Sequence, residues 1–128
     1  MVEIKENFKM VKYSKLNKGK WIQCQGYKKK IILDENDLNC KGTLLQVIKI
    51  KPKTKIKPHF HKKMTEAFFI LKGRAVIFIE GKNYRLKPGD TLVCHPNEVH
   101  GAKNDSNKEF EYIVFKTNVK KNNSYWVK

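Results

Sequence analysis

Cysteine is scarce and unpaired in this chain. Cys24, Cys40 and Cys94 are an odd number with no C-x-x-C spacing, which excludes a disulfide framework and a zinc ribbon and leaves reduced thiols. Arginine is scarcer still, with Arg74 and Arg85 alone among 28 basic residues set against 12 acidic ones, for a formal net charge of +16. Arginine favours bidentate recognition of phosphate and guanine, so a charge carried by lysine weakens a nucleic-acid reading and suits the steering of a small anion. No run approaches the eighteen or so apolar residues of a membrane helix. Residues Met1 to Met10 mix Glu3, Lys5, Glu6 and Lys9 where a signal peptide would be apolar. No membrane association is expected, and the cytoplasm is the expected location.

What the chain has in quantity is short apolar runs. Its 128 residues suit a single domain, with Met1 to Lys20 as a lysine-rich N-terminal arm of unclear period. Strand-like segments follow at Trp21 to Gln25, Lys30 to Leu33, Thr43 to Ile50, Ala67 to Leu71, Ala75 to Ile79, Asn83 to Leu86, Thr91 to Cys94 and Phe110 to Phe115. Turn formers separate them, among them Pro52, Gly73, Gly81, Pro88-Gly89 and Pro96-Asn97. Short strands at close spacing predict an all-β, antiparallel sandwich or barrel. Both faces of Phe68 to Leu71 and of Val76 to Ile79 are apolar, so these strands are expected to be covered on both sides, by a second layer or by the partner in a homodimer.

Histidine is rare and clustered. His59 and His61 stand two residues apart, a spacing that turns both to one face of a strand. Glu66 follows His61 by an odd number of residues and would point away on an unbroken strand, so the chain must bend. Lys62 to Thr65 form a polar interval that predicts a connection between two antiparallel strands, returning Glu66 to the histidines. Three imidazoles and a carboxylate brought together inside a barrel are costly to desolvate without an ion, and this donor set suits iron, manganese, nickel, cobalt or zinc.

These residues also carry a family resemblance. His59, His61, Glu66 and Gly73 match G-x5-H-x-H-x4-E-x6-G except at its first glycine, where Lys53 stands; Gly89, His100 and Asn104 match G-x5-P-x-G-x2-H-x3-N, with His95 for the proline and Asn97 for the second glycine. The segment from Pro52 to Asn104 thereby resembles the small single-domain cupins. The resemblance implies a jelly-roll β-barrel whose mouth holds one divalent transition metal through His59, His61, Glu66 and His100.

Other side chains are candidates for work beside that site. His95 and Tyr84 are candidate acid or base groups, and Lys57 and Tyr112 candidate ligand-binding groups. Cys94 follows the alternation of Leu92 and is expected to face the interior. Lys49, Lys51, Lys53, Lys55 and Lys57 recur at every second position in phase with His59, which cannot persist inside a barrel; Pro52 and Lys53 are expected to reset the phase. Three functional readings follow. A metal-dependent enzyme of isomerase or dioxygenase type acting on a small, anionic, oxygen-bearing molecule leads; a non-catalytic small-molecule binder or sensor and a nucleic-acid-associated basic protein are the alternatives.

Overall fold

The protein is described by a computed structural model over residues 11–121 and 124–127. The first half of the expected N-terminal arm lies outside these residues. Residues 11–20 are exposed and carry no strand, tied to the barrel where buried Lys30 donates from Nζ to the carbonyls of Lys15 and Leu16 at 2.8 and 3.0 Å.

Among the described residues the chain forms eleven strands: β1 (Ile22–Gln23), β2 (Tyr27–Leu33), β3 (Leu44–Ile50), β4 (Thr54–His61), β5 (Thr65–Lys72), β6 (Ala75–Ile79), β7 (Lys82–Leu86), β8 (Thr91–Cys94), β9 (His100–Asn104), β10 (Phe110–Thr117) and β11 (Ser124–Trp126). They pair antiparallel in two facing sheets, ordered β1-β2-β3-β10-β5-β8 and β11-β4-β9-β6-β7, which make a jelly roll. No described helix is long and apolar enough to cross a membrane.

Alternation builds the interior. Gln46, Ile48 and Ile50 of β3, Phe68 and Ile70 of β5, Ile77 and Ile79 of β6, and Phe110, Tyr112 and Val114 of β10 are all buried between the sheets. On the outer face of the larger sheet, the segment around Lys15 and Leu16 lies against β2 and β3, where Lys30 and Val47 are buried, whereas over β5, β8 and β10 Phe69, Val93 and Phe115 are each about 40% exposed. Among the described residues, a second layer from within the chain, one of the two covers expected from the sequence, does not extend over β5, β8 and β10.

Two local geometries differ from the expectations. The connection after His61 is not a hairpin, because β4 pairs with β9 and β11 while β5 pairs with β10 and β8. Residues 62–64 instead carry the chain from one sheet to the other, so Glu66 meets the histidines from across the barrel. The lysine phase is also reset elsewhere. Ile56 pairs with Ala102 and His59 with His100, so β4 holds one residue more than β9 between those pairs, and this bulge turns both Ile56 and His59 inward. Lys55 and Lys57 are thereby left on the exposed side.

The substituted motif positions keep the turns of the family pattern. Lys53 and Asn97 both adopt the left-handed backbone conformation, with φ of 57° and 68°. Asparagine tolerates that region well, whereas a lysine there costs about 1–2 kcal/mol, partly offset as its Nζ donates to the Asp105 carbonyl at 2.6 Å. Asn104 is structural: its Nδ2 lies within 3.1 Å of the carbonyls of Ile50, Lys51 and Lys108, tying the β3–β4 and β9–β10 connections together at one end of the barrel.

Candidate metal centre

The end of β4 delivers His59 and His61, the start of β9 delivers His100, and the start of β5 delivers Glu66. One potential ligand atom from each lies within 4.8 Å of all the others. His61, Glu66 and His100 are buried and His59 is half-buried, so the cluster sits inside the mouth and not on the rim.

Each imidazole is held by its Nδ1. That of His59 lies 2.9 Å from the Lys57 carbonyl, that of His61 lies 3.1 Å from Ser124 Oγ, and that of His100 lies 3.0 Å from the Glu98 carbonyl and 3.1 Å from Cys94 Sγ. Occupying Nδ1 leaves Nε2 for a ligand, the arrangement that orients a metal-bound histidine. The Nε2 atoms of His61 and His100 are buried without a hydrogen-bond partner. They lie 2.6 and 3.6 Å from Glu66 Oε1, close but not aligned for a hydrogen bond.

Two buried nitrogens without an aligned hydrogen-bond partner and a carboxylate, converging on one point, are a donor set that fits a divalent transition ion. The charges of the metal-free cluster are correspondingly shifted. Burial and the neighbouring His100 hold the His59 imidazole down to about 4, so it is neutral. Burial opposes ionisation of both other partners, yet contact with His100 and His61 holds the Glu66 carboxyl well below the usual range. Contact with Cys94 and Glu66 likewise pushes His100 up to about 10. The metal-free site therefore keeps an imidazolium–carboxylate pair where a metal would place its own charge.

The site opens on a cavity of about 130 Å³. Tyr112 lines it and is buried; burial raises its phenol above the ordinary value and brings that of Tyr27, also in the wall, to about 12. Lys57, Tyr84 and His95 do not line it. Lys57 is turned out by the β4 bulge, Tyr84 packs against the core on β7, and His95 is exposed with its Nδ1 3.4 Å from Glu98. Cys94 is buried as expected and supports His100 instead of joining the ligand group.

Sequence reasoning missed Ser124, Gln46, Lys29 and Lys116, which all line the cavity. The signal for two of them was present. Gln46 is the polar member of the inward series Gln46, Ile48, Ile50, and Lys116 ends the inward series Tyr112, Val114, Lys116. Burial lowers the Lys116 ammonium below its usual range, against the pull of Glu66.

The fold and this site define a class: a small jelly-roll barrel whose mouth gathers three imidazoles and a carboxylate that could hold one ion. The sequence profile of the cupin domain matches residues 46–116, and the chain belongs to the cupin family. It is 26% identical over 83 residues to the oxalate-binding protein of Thermotoga maritima, spanning 65% of this chain and 69% of that protein. It is 35% identical over 69 residues to quercetin 2,3-dioxygenase of Bacillus subtilis, spanning 53% of this chain but only 20% of the enzyme. Among solved structures, the polyketide cyclase RemF of Streptomyces resistomycificus superposes with a TM-score of 0.80 over 93% of this chain and 87% of that one, at 17% identity, a likeness of fold alone.

Proposed function

We propose that this cupin holds one divalent transition metal through His59, His61, Glu66 and His100 and binds a small, oxygen-bearing anion against it. The observation that carries the reading is the pair of buried, partnerless Nε2 atoms of His61 and His100 converging on Glu66 while every Nδ1 is engaged. An ion bound there supplies a Lewis acid for a ligand oxygen. The protein's own residues orient the imidazoles, confine the ligand between two sheets and narrow its size. The oxalate-binding relative and the net charge of +16 both support a small carboxylate as that ligand.

Isomerase or dioxygenase chemistry additionally requires an acid or base beside the ligand. The exposure of His95 and the packing of half-buried Tyr84 against the core away from the cavity favour non-catalytic binding as a second reading. Turnover would rest on Lys116, Lys29, Tyr112 or Tyr27, titratable groups outside the ligand set that do face the cavity.

The exposed part of the larger sheet's outer face, over β5, β8 and β10, supports the homodimer. Ala67, Phe69, Thr91, Val93, Ile113 and Phe115 line it without a single lysine, so two copies of a strongly positive chain can approach there with least repulsion. Light scattering of the purified protein tests this, and a monomer at all concentrations would contradict it.

Titration of manganese or zinc into metal-free protein tests the functional reading. A rise in Tm with the metal, and a further rise with oxalate only when metal is present, is the expected result. No response to either metal would contradict it.

A further inference from the structure

The cavity has a second polar wall that the ligand residues do not use. Lys116 stands directly across from Glu66 in the β10–β5 ladder, Gln46 is paired with Val114 one inward step along β10, and Lys29 is paired with Ile48 on the neighbouring strand. All three line the same cavity as the ligand residues.

Gln46 is 1% exposed, and its Oε1 has no hydrogen-bond partner. A buried amide left this way costs about 1–3 kcal/mol, a cost that an occupant of the cavity relieves. Its side-chain amide can present either the oxygen to a hydroxyl or, turned over, the NH2 to a carboxylate. The lysines leave a charge to be met as well. Among the described residues Glu66 is the one carboxylate lining the cavity, and its close contacts go to His61 and His100. With a dication bound, two ammoniums and the ion face that single carboxylate, a surplus that an anionic guest neutralises. The volume, about 130 Å³, equals roughly four waters of liquid, which suits an acid of a few carbons and not a flavonoid or a nucleotide.

We infer that Lys116, Lys29 and Gln46 form a carboxylate subsite that takes one end of a small dicarboxylic acid while its other end faces His59, His61, Glu66 and His100. The inference rests on the metal-site reading for the second end only; the subsite itself consists of protein groups. Lys116 supplies the charge beside Glu66 in the ladder, and Gln46 fixes the plane of the carboxylate.

Calorimetric titration of malonate into metal-free and zinc-loaded protein tests this, with zinc content measured separately on every sample. The wild type binds malonate, and the neutral diamide malonamide binds at least tenfold more weakly. Lys116→Met and Gln46→Leu each weaken malonate at least tenfold in whichever form the wild type binds it, Lys116→Arg restores binding, and the exposed charge control Lys87→Met changes nothing. Zinc loading of Lys116→Met equals that of the wild type. Equal malonate affinity in Lys116→Met and wild type, or no malonate binding by the wild type in either form, overturns the subsite. A wild type that binds malonate but never loads zinc leaves the subsite standing and refutes the metal reading.

Discussion

Ser124 Oγ lies 3.1 Å from Nδ1 of His61, joining the last described strand to a residue it follows by more than sixty positions. The contact exists because β11 pairs with β4 and sets Ser124 opposite His61. It makes the short strand β11 part of the candidate metal centre. Ser124→Ala removes the partner that orients His61, and metal affinity is expected to fall about ten- to a hundredfold. Competition against a coloured chelator measures this. Unchanged affinity would mean that the hydroxyl is a bystander.

The stability of the metal-free protein is expected to peak near neutrality because its buried groups titrate in opposite directions. Glu66, depressed in the folded state, contributes stability above its ordinary value that is lost as pH falls into the acid range. His59, held neutral down to about 4, acts in the same sense: its contribution shrinks as pH drops from about 6.5 to 4. His100 has the opposite sign. Its raised value of about 10 stabilises the fold fully below 6.5, and that part is lost as pH rises towards 10. Urea unfolding at pH 5, 6.5 and 9 should therefore give the highest midpoint at 6.5. In His100→Gln the decline between 6.5 and 9 should flatten, and an identical decline in both proteins would contradict the assignment.

Metal loading should reverse the alkaline limb. A bound ion requires neutral His100, so uptake near pH 7.5 releases about one proton, and apparent affinity falls as pH is lowered. Titration in two buffers of different ionisation enthalpy counts that proton. Uptake without proton release would show that His100 is already neutral or is not a ligand.

Gly101, immediately after His100, has no room for a side chain. A Cβ there would collide with the Phe78 ring and approach the Ile56 carbonyl at 2.9 Å. Gly101→Ala should cost about 1–3 kcal/mol in urea unfolding and displace His100 with it, lowering metal affinity as well. Wild-type stability in the variant would show that β9 shifts freely.

Much of the site was legible in the sequence because its ligands obey local rules. Strand alternation placed His59 with His61, the polar interval at Lys62 to Thr65 announced a change of direction, and Asn97 signalled the left-handed turn that leads to His100. What was hidden depends on which strands become neighbours. The β4 bulge, visible only in the pairing with β9, turned Lys57 outward, and the crossing between sheets, not a hairpin, brought Glu66 to the histidines. Ser124 gained its place from the ladder with β4, which no local pattern in its own segment specifies.

The most direct test is the metal content of untagged protein purified without added ions, compared with a His59→Ala, His100→Ala double variant. The account predicts close to one transition-metal ion per chain in the wild type, recovered after stripping and reloading, and none in the variant. Absence of stoichiometric metal in the wild type, with no change in its melting on reloading, would contradict it.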